Sequence, residues 1–326
     1  MAKISVLAVC PPELPARAML ALQPAMKLTV AHERHAVMRA APEAEVILYS
    51  ALAGTTPPFA SIWDHRGPGL RWVHSFEAGL DRLLLPELVA SDVIVTNARG
   101  VYAAPLAEFA IFGILHFYQQ GRLLLRQQQQ KIWAQHEVEV LKGKVLAVVG
   151  YGSVGRACAK LGRRMGMRIH ALRRHPERSK GERGIERTFA PGGLKEMLAG
   201  ADVVLAAAPL TPETHHLLNA AAFALMKPSA LVVNVGRGPV VDEPALVHAL
   251  RERKLAGAVL DVYEREPLGP EHPFWTMDNV LLSPHCADRS RDPHWTELGM
   301  RCFLQNFRRY RSGQPLLTQV DKRAGY

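Results

Sequence analysis

Short apolar blocks recur along the chain, each closed by polar or turn-forming residues. ISVLAV (4–9), EVILY (45–49), RWVHSF (71–76) and VIVTN (93–97) have the length of short buried strands. Between them ARAMLALQPAM and LDRLLLPELVAS carry helical spacing, limited by Pro24 and Pro86. A long helix is expected from about Ala104 to Trp133, with Pro105 in its first turn and a first half apolar enough to be buried against another subunit. From Lys144 the alternation resumes. VLAVV, MRIHAL, DVVLAA, ALVVNV, GAVLDV and NVLLS read as strands, with SVGRACAKLGRRM, GGLKEMLAG, NAAAFALM and EPALVHALRERK as the helices between them. Asn219 is placed to cap its helix, and Asp242 with Glu243 puts negative charge at a helix start. One more amphipathic helix is expected from Pro293 to Arg311, followed by a loose polar tail, QVDKRAGY. This pattern predicts an α/β fold: an open, largely parallel sheet over the first 97 residues, then a doubly wound parallel sheet.

Bulk properties refine the picture slightly. A chain of 326 residues with 21% charged residues is ordinary globular material for two domains. The net charge of +10 is scattered, apart from RRHPERSKGERGIER and RRYR, and no zinc-finger spacing or RNA-binding aromatic signature accompanies it. It reads as a solvated basic face, with no nucleic-acid partner expected. Cys10, Cys158, Cys286 and Cys302 show no paired spacing, so free thiols in a reducing, cytoplasmic compartment are expected. MAKISVLAVCPPELP reads as a first strand rather than a leader, and no apolar run is long enough for a membrane span.

The chemistry begins at KVLAVVGYGSVGRACAK. Gly150, Gly152 and Gly155 follow a strand and open a helix, the arrangement that cradles a dinucleotide pyrophosphate. The first allows the tight turn, the second the close approach of phosphate, and the third the packing of helix on strand. The N–H groups of the opening turn, Ser153 and Val154 among them, then face the anion. An NAD site of this type has an acid at the end of the second strand. Here MRIHAL ends in Arg173 and Arg174, so a 2′-phosphate is the better match: NADP(H) is preferred, with NAD(H) as the alternative.

Three further motifs lie at or just beyond strand ends, on the edge where open α/β sheets bind ligands: NVGRGPVVDE, LDVYEREPL and LLSPHCA. They supply Arg237, Glu266 and His285. A guanidinium can hold a substrate carboxylate with two parallel hydrogen bonds, an imidazolium can protonate a carbonyl oxygen, and a neighbouring carboxylate can keep that imidazole charged. The set suits reduction of a 2-keto acid. Each residue alone also has an ordinary structural explanation, as a helix cap, a surface charge or a packed loop residue.

With EAGLD (77–81), AEFA (107–110), PLTPETHHLLN (209–219) and HPFW (272–275) added, nearly the whole chain resembles the D-isomer-specific 2-hydroxyacid dehydrogenases. The resemblance implies two Rossmann-like domains with parallel sheets. The cofactor domain (99–288) is inserted into a substrate domain (1–98 and 289–326), and the assembly is a homodimer. It implies Arg237 as the substrate-binding arginine and Glu266 with His285 as the acid–base pair. Ala78 and Gly79 are the backbone donors that grip the substrate carboxylate. Pro209, Thr211, Val235, Gly236 and Arg237 form the nicotinamide-side wall, and Asp261 contacts the carboxamide. No metal is implied.

The expected reaction is reduction of glyoxylate, hydroxypyruvate or a similar small anionic 2-keto acid. A bulkier 2-keto acid, or a corepressor-like dinucleotide sensor on the same fold, are the alternatives. Cys286, Ala287 and Asp288 depart from the small residue and Ala-Gly that often follow the family's histidine, and Cys286 is expected to be a buried, inert thiol. Trp133, Trp275 and Trp295 are read as core residues, with a pocket or subunit interface as the alternative.

Overall fold

The structure is a computed structural model that describes residues 3–11, 24–50, 56–179, 181–290 and 292–326. The chain divides into two compact units, Met1–Tyr102 with Arg291–Tyr326, and Ala103–Ser290.

The first unit contains β1 (Ile4–Val9), β2 (Met26–Ala31), α1 (Arg34–Ala40), β3 (Val46–Tyr49), α2 (Phe59–Asp64), β4 (Trp72–Ser75), α3 (Pro86–Ala90) and β5 (Ile94–Asn97). Its strands form one parallel sheet in the order β2-β1-β3-β4-β5. The side chains alternate between two faces. Leu7, Ile47, Val73 and Val95 pack with Ile62 and Leu88 on one side, and Val6, Ala8, Leu48 and Trp72 pack with Met300, Phe303 and Phe307 on the other. The last three belong to the C-terminal helix Pro293–Arg311, and the Phe303 ring stacks on Trp72 at 5.2 Å.

MKLTVA forms strand β2, whereas ARAMLALQPAM, expected to be helical, lies almost entirely outside the described residues. The tail is not loose. Val320 N–H donates to the Val95 carbonyl, and the Lys322 ammonium donates to the carbonyls of Leu88, Ser91 and Val93. The tail satisfies backbone groups along the β5 edge and beside α3 that would otherwise need water.

The second unit contains α4 (Ala103–Tyr118), α5 (Gly121–Gln130), β6 (Val145–Val149), α6 (Ser153–Arg164), β7 (Arg168–Leu172), β8 (Arg187–Phe189), α7 (Leu194–Gly200), β9 (Val203–Ala206), α8 (Ala220–Phe223), β10 (Leu231–Asn234), α9 (Glu243–Arg251), β11 (Gly257–Leu260) and β12 (Val280–Leu282). Its sheet is parallel throughout, in the order β12-β11-β10-β9-β6-β7-β8. Strand order reverses between β6 and β9, which is where such a sheet opens a crevice at its C-terminal edge. Asn219 caps α8 by accepting from Ala221 and Ala222 N–H, and Asp242 caps α9 by accepting from Ala245 N–H.

The long helix expected over 104–133 is two helices. The chain turns at Gln120, which adopts φ +55°, and the Gly121 backbone passes so close to the His116 ring that a Cβ there would overlap it. Trp133 is 99% exposed and Trp275 is exposed, so neither is a core residue; Trp295 is half-buried. The Trp275 indole N–H is nevertheless held by the Gly269 carbonyl at 2.8 Å.

Candidate active site

The glycine turn is built as its spacing requires. Gly150 adopts φ +94°, and a Cβ there would overlap the Ala208 backbone. A Cβ at Gly155 would overlap the Gly150 carbonyl and Val148, so this glycine lets α6 press on β6. Gly152 differs: a Cβ there would meet nothing within 4 Å. Packing demands two of the glycines; the third leaves open space over the start of α6, the place a phosphate needs. No side chain caps this helix start, so the N–H groups of Ser153, Val154 and Gly155 keep their donor capacity for an anion. The turn fits a dinucleotide.

At the end of β7 the two arginines separate. The Arg173 side chain, 13% exposed, donates from Nη1 to Ser179 Oγ at 2.8 Å and to Glu182 Oε1 at 3.2 Å. Arg174 is about half exposed, with Nη2 3.4 Å from Glu213 Oε2. On the far side of the turn, the loop carrying Pro209 and Thr211 braces itself: Thr214 Oγ1 accepts from Thr211 N–H at 2.8 Å and donates to the Pro209 carbonyl at 2.7 Å. Val235 and Gly236 continue β10. Val235 N–H donates to the Ala206 carbonyl, and Gly236 N–H donates to Asn234 Oδ1. The Asn234 amide in turn donates to the Arg237 carbonyl, which fixes the loop that carries Arg237, and the Arg237 guanidinium donates from Nη1 to the Gly236 carbonyl at 2.8 Å.

Arg237, Asp261, Glu266 and His285 follow the adjacent strands β10, β11 and β12. His285 Nδ1 lies 2.7 Å from Glu266 Oε2, and Glu266 Oε1 accepts from Tyr263 N–H at 3.1 Å. The carboxylate is thus held at both oxygens. This bond to Glu266 is the largest influence raising the His285 pKa; the charges of Glu266 and Asp261 add to it, while burial and the Arg237 charge oppose it. Asp261, only 1% exposed, accepts at Oδ1 from the N–H groups of Cys286 at 3.0 Å and Ala287 at 3.1 Å. These bonds hold His285 at φ +50°, a left-handed conformation uncommon for a non-glycine residue. The structure therefore gives Asp261 a loop-holding role that its sequence motif did not disclose. Cys286, expected to be buried, is exposed, with Sγ 3.4 Å from Ser283 Oγ. The buried thiols are Cys10 and Cys158, where burial pushes the pKa up to about 11 and about 12.

Tyr263 was not singled out by sequence. Its buried hydroxyl donates to the Ser283 carbonyl at 2.8 Å and lies 3.1 Å from the Leu260 carbonyl, while its own carbonyl packs where a Cβ on Gly238 would be. One residue touches the loops of Arg237, Glu266 and His285. Its place inside LDVYEREPL was the only signal, and nothing in that motif names its partners.

His216, Asp242 and Glu264 bring one potential metal-ligating atom each within 4.8 Å of one another. His216 Nε2 is paired with Glu264 Oε1 at 2.8 Å, and Asp242 is committed to capping α9. Glu264 also accepts from Glu243 N–H, so the group ties the start of α9 to the loop after β11.

In the first unit, Ala78 and Gly79 follow β4. The Ala78 carbonyl accepts from the Asn97 amide at 2.7 Å, and the preceding Glu77 carboxylate accepts from the hydroxyls of Ser50 and Ser75. Asn97, another residue the sequence reading passed over, thereby fixes this loop.

The comparisons with known proteins agree with this geometry. The family model for the NAD binding domain of D-isomer specific 2-hydroxyacid dehydrogenases matches residues 111–287. A glyoxylate reductase of Aeropyrum pernix is 37% identical over 239 residues, 70% of this chain and 70% of the relative. A D-isomer specific 2-hydroxyacid dehydrogenase of Xanthobacter autotrophicus, solved with NADPH and MES, is 31% identical with a TM-score of 0.83, covering 100% of both chains. An NADPH-dependent glyoxylate/hydroxypyruvate reductase of Sinorhizobium meliloti, solved with NADP and sulfate, is 27% identical with a TM-score of 0.83, again over 100% of both chains. Two parallel-stranded α/β units, a fitted glycine turn and these matches place the chain in the family of D-isomer specific 2-hydroxyacid dehydrogenases, as an oxidoreductase with an NAD-binding domain.

Proposed function

We propose that the protein reduces a small 2-keto acid, glyoxylate or hydroxypyruvate in class, to the D-2-hydroxy acid with NADPH. The observation that carries this reading is the 2.7 Å contact between His285 and Glu266 on a sheet edge that also presents Arg237. Because Nδ1 is committed to Glu266, Nε2–H is the proton donor left for the substrate carbonyl oxygen. Glu266 keeps that imidazole charged until the proton leaves. The Arg237 guanidinium pairs with the substrate carboxylate and polarises the neighbouring carbonyl, and the backbone N–H groups of Ala78 and Gly79 are the carboxylate donors of the substrate domain.

The unit Ala103–Ser290 is the dinucleotide-binding domain in this reading, and the other unit is the substrate domain. Gly150, Gly152, Ser153, Val154 and Gly155 hold the pyrophosphate, Pro209, Thr211, Val235, Gly236 and Asp261 line the nicotinamide side, and Arg173 and Arg174 face the ribose 2′-phosphate. When bound there, the nicotinamide supplies the hydride. The missing acid at the end of β7 supports NADPH, as do the NADPH and NADP in the related structures. Free thiols fit a reducing, cytoplasmic setting.

A homodimer also belongs to this reading. Phe112 on α4, Leu124 and Leu125 on α5, and Ile132, Trp133, Val138 and Val140 beyond it are all exposed, more apolar surface than a solitary helix pair needs. Light scattering at micromolar concentration should give twice the chain mass; a monomer mass would contradict it.

The activity test is NADPH oxidation on adding glyoxylate or hydroxypyruvate, with chiral analysis of the glycerate formed from hydroxypyruvate. D-Glycerate is expected, and His285→Ala should lower kcat by about 10²–10⁴-fold, the usual contribution of general acid catalysis. No turnover of either acid, or the L-product, would contradict the proposal.

A further inference from the structure

The arginines that suit a 2′-phosphate are not the whole of that site, because a carboxylate, Glu182, already lies on one of them, Arg173. Glu182 follows the short turn Pro176–Ser179 after β7. Its Oε2 accepts from Arg156 Nε at 3.2 Å, and its Oε1 accepts from Arg156 Nη2 at 2.6 Å and from Arg173 Nη1 at 3.2 Å. Arg156 stands in the first turn of α6, immediately after Gly155, and Arg173 is the first residue beyond β7. Both guanidiniums lie over the ring of Tyr151, at 5.4 and 6.0 Å from its centroid. Tyr151 is the residue between Gly150 and Gly152, so both guanidiniums lie over the dinucleotide turn, and Glu182 is bonded to both.

A carboxylate held by one guanidinium through two parallel bonds, and by a second guanidinium through one, occupies the same donors that a phosphate monoester uses. We propose that Glu182 is a specificity-determining residue: an internal anion that a ribose 2′-phosphate must displace from Arg156 and Arg173, and that a 2′-hydroxyl need not. The inference rests on the NADP(H) reading above and deepens it.

The charges give its sign. Arg174 is paired with Glu213 and adds no net charge, so Arg156, Arg173 and Glu182 sum to +1. A 2′-phosphate brings nearly two further negative charges, so with Glu182 present the cluster becomes negative, and without it the cluster is close to neutral. Protonation offers Glu182 no easy way out, because its bonds with Arg156 hold its carboxyl below the usual range. It must swing away instead, and a side chain on an outer loop about a quarter exposed has room to do so. A 2′-hydroxyl faces no such conflict, since a hydroxyl donates to a carboxylate. Glu182 therefore weakens discrimination in favour of NADP(H).

The test is equilibrium binding of NADP⁺ and of NAD⁺, which differ only at the 2′ position, by titration calorimetry on the full-length protein and on Glu182→Gln. This substitution keeps the side-chain shape and removes the charge. Thermal denaturation of the ligand-free variant checks that it is folded. The ratio Kd(NAD⁺)/Kd(NADP⁺) should rise about tenfold in the variant, the scale of one charge-assisted hydrogen bond no longer broken on binding. A ratio that stays constant or falls would overturn the role of Glu182. If the unmodified protein binds NADP⁺ more tightly than NAD⁺ and the ratio does not move, only the present inference fails. If the unmodified protein prefers NAD⁺ and the ratio does not move, the NADP(H) reading fails with it.

Discussion

His285 Nδ1 and Glu266 Oε2 lie 2.7 Å apart, although the two residues leave the sheet on different strands. The contact sets a protonation state as well as a position. Hydrogen bonding to the carboxylate raises the His285 pKa above its ordinary value. Folding therefore favours the charged imidazole. The stability this contributes is fully present below the pKa of a free histidine and is lost as pH rises through the raised native value. The same window governs the proton donor needed for reduction.

Tyr263→Phe should show how this pair is held. The substitution keeps the buried ring but leaves the Leu260 and Ser283 carbonyls without its hydroxyl. A loss of about 1–2 kcal/mol of stability is expected from such a deletion. Because Ser283 lies two residues before His285, kcat should fall while KM changes less. Equal stability and equal kcat would show that Tyr263 only fills space.

Arg237→Lys should raise KM for the keto acid by about 10-fold or more, because an ammonium cannot form the two parallel bonds that a guanidinium offers a carboxylate. Initial rates over a substrate series measure this directly. An unchanged KM would remove Arg237 from substrate binding.

The glycines give a contrast between packing and ligand approach. Gly150→Ala forces a side chain into a positive-φ position and into the Ala208 backbone, so a loss of stability above about 1 kcal/mol is expected. Gly152→Ala meets nothing within 4 Å and should leave the melting temperature close to that of the parent. Its binding of NADP⁺ should nevertheless weaken, since the new methyl group stands where the pyrophosphate approaches. Undiminished NADP⁺ binding by Gly152→Ala would place the phosphate elsewhere.

Much of this was legible in the chain because strand burial and glycine turns are local matters. VLAVV and GAVL are apolar throughout and LVVN in all but its last residue, because both faces of a parallel sheet are covered, and each appears as a strand. The elements that escaped are those decided by distant partners. MKLTVA alternates and is only partly buried, and it becomes β2 because β1 offers it an edge. The break at Gln120 depends on the His116 ring meeting the Gly121 backbone, which no helical periodicity reveals. The tail QVDKRAGY reads as polar and loose, yet one lysine finds three carbonyls. In the site, Arg237, Glu266 and His285 were visible as chemistry at strand ends. The bonds of Asp261 to Cys286 and Ala287, and those of Tyr263 and Glu182, join residues across loops whose conformations the sequence does not disclose.

The pH dependence of kcat/KM for keto-acid reduction, compared between the parent protein and Glu266→Gln, tests the central claim most directly. In the parent, the rate should hold to a pH above the ordinary histidine range and fall as the raised His285 pKa is passed. Glutamine keeps the shape and removes the charge, so the fall should move to lower pH by about one unit or more. A profile in Glu266→Gln that superimposes on the parent's would contradict the assignment of His285 and Glu266 as the acid–base pair.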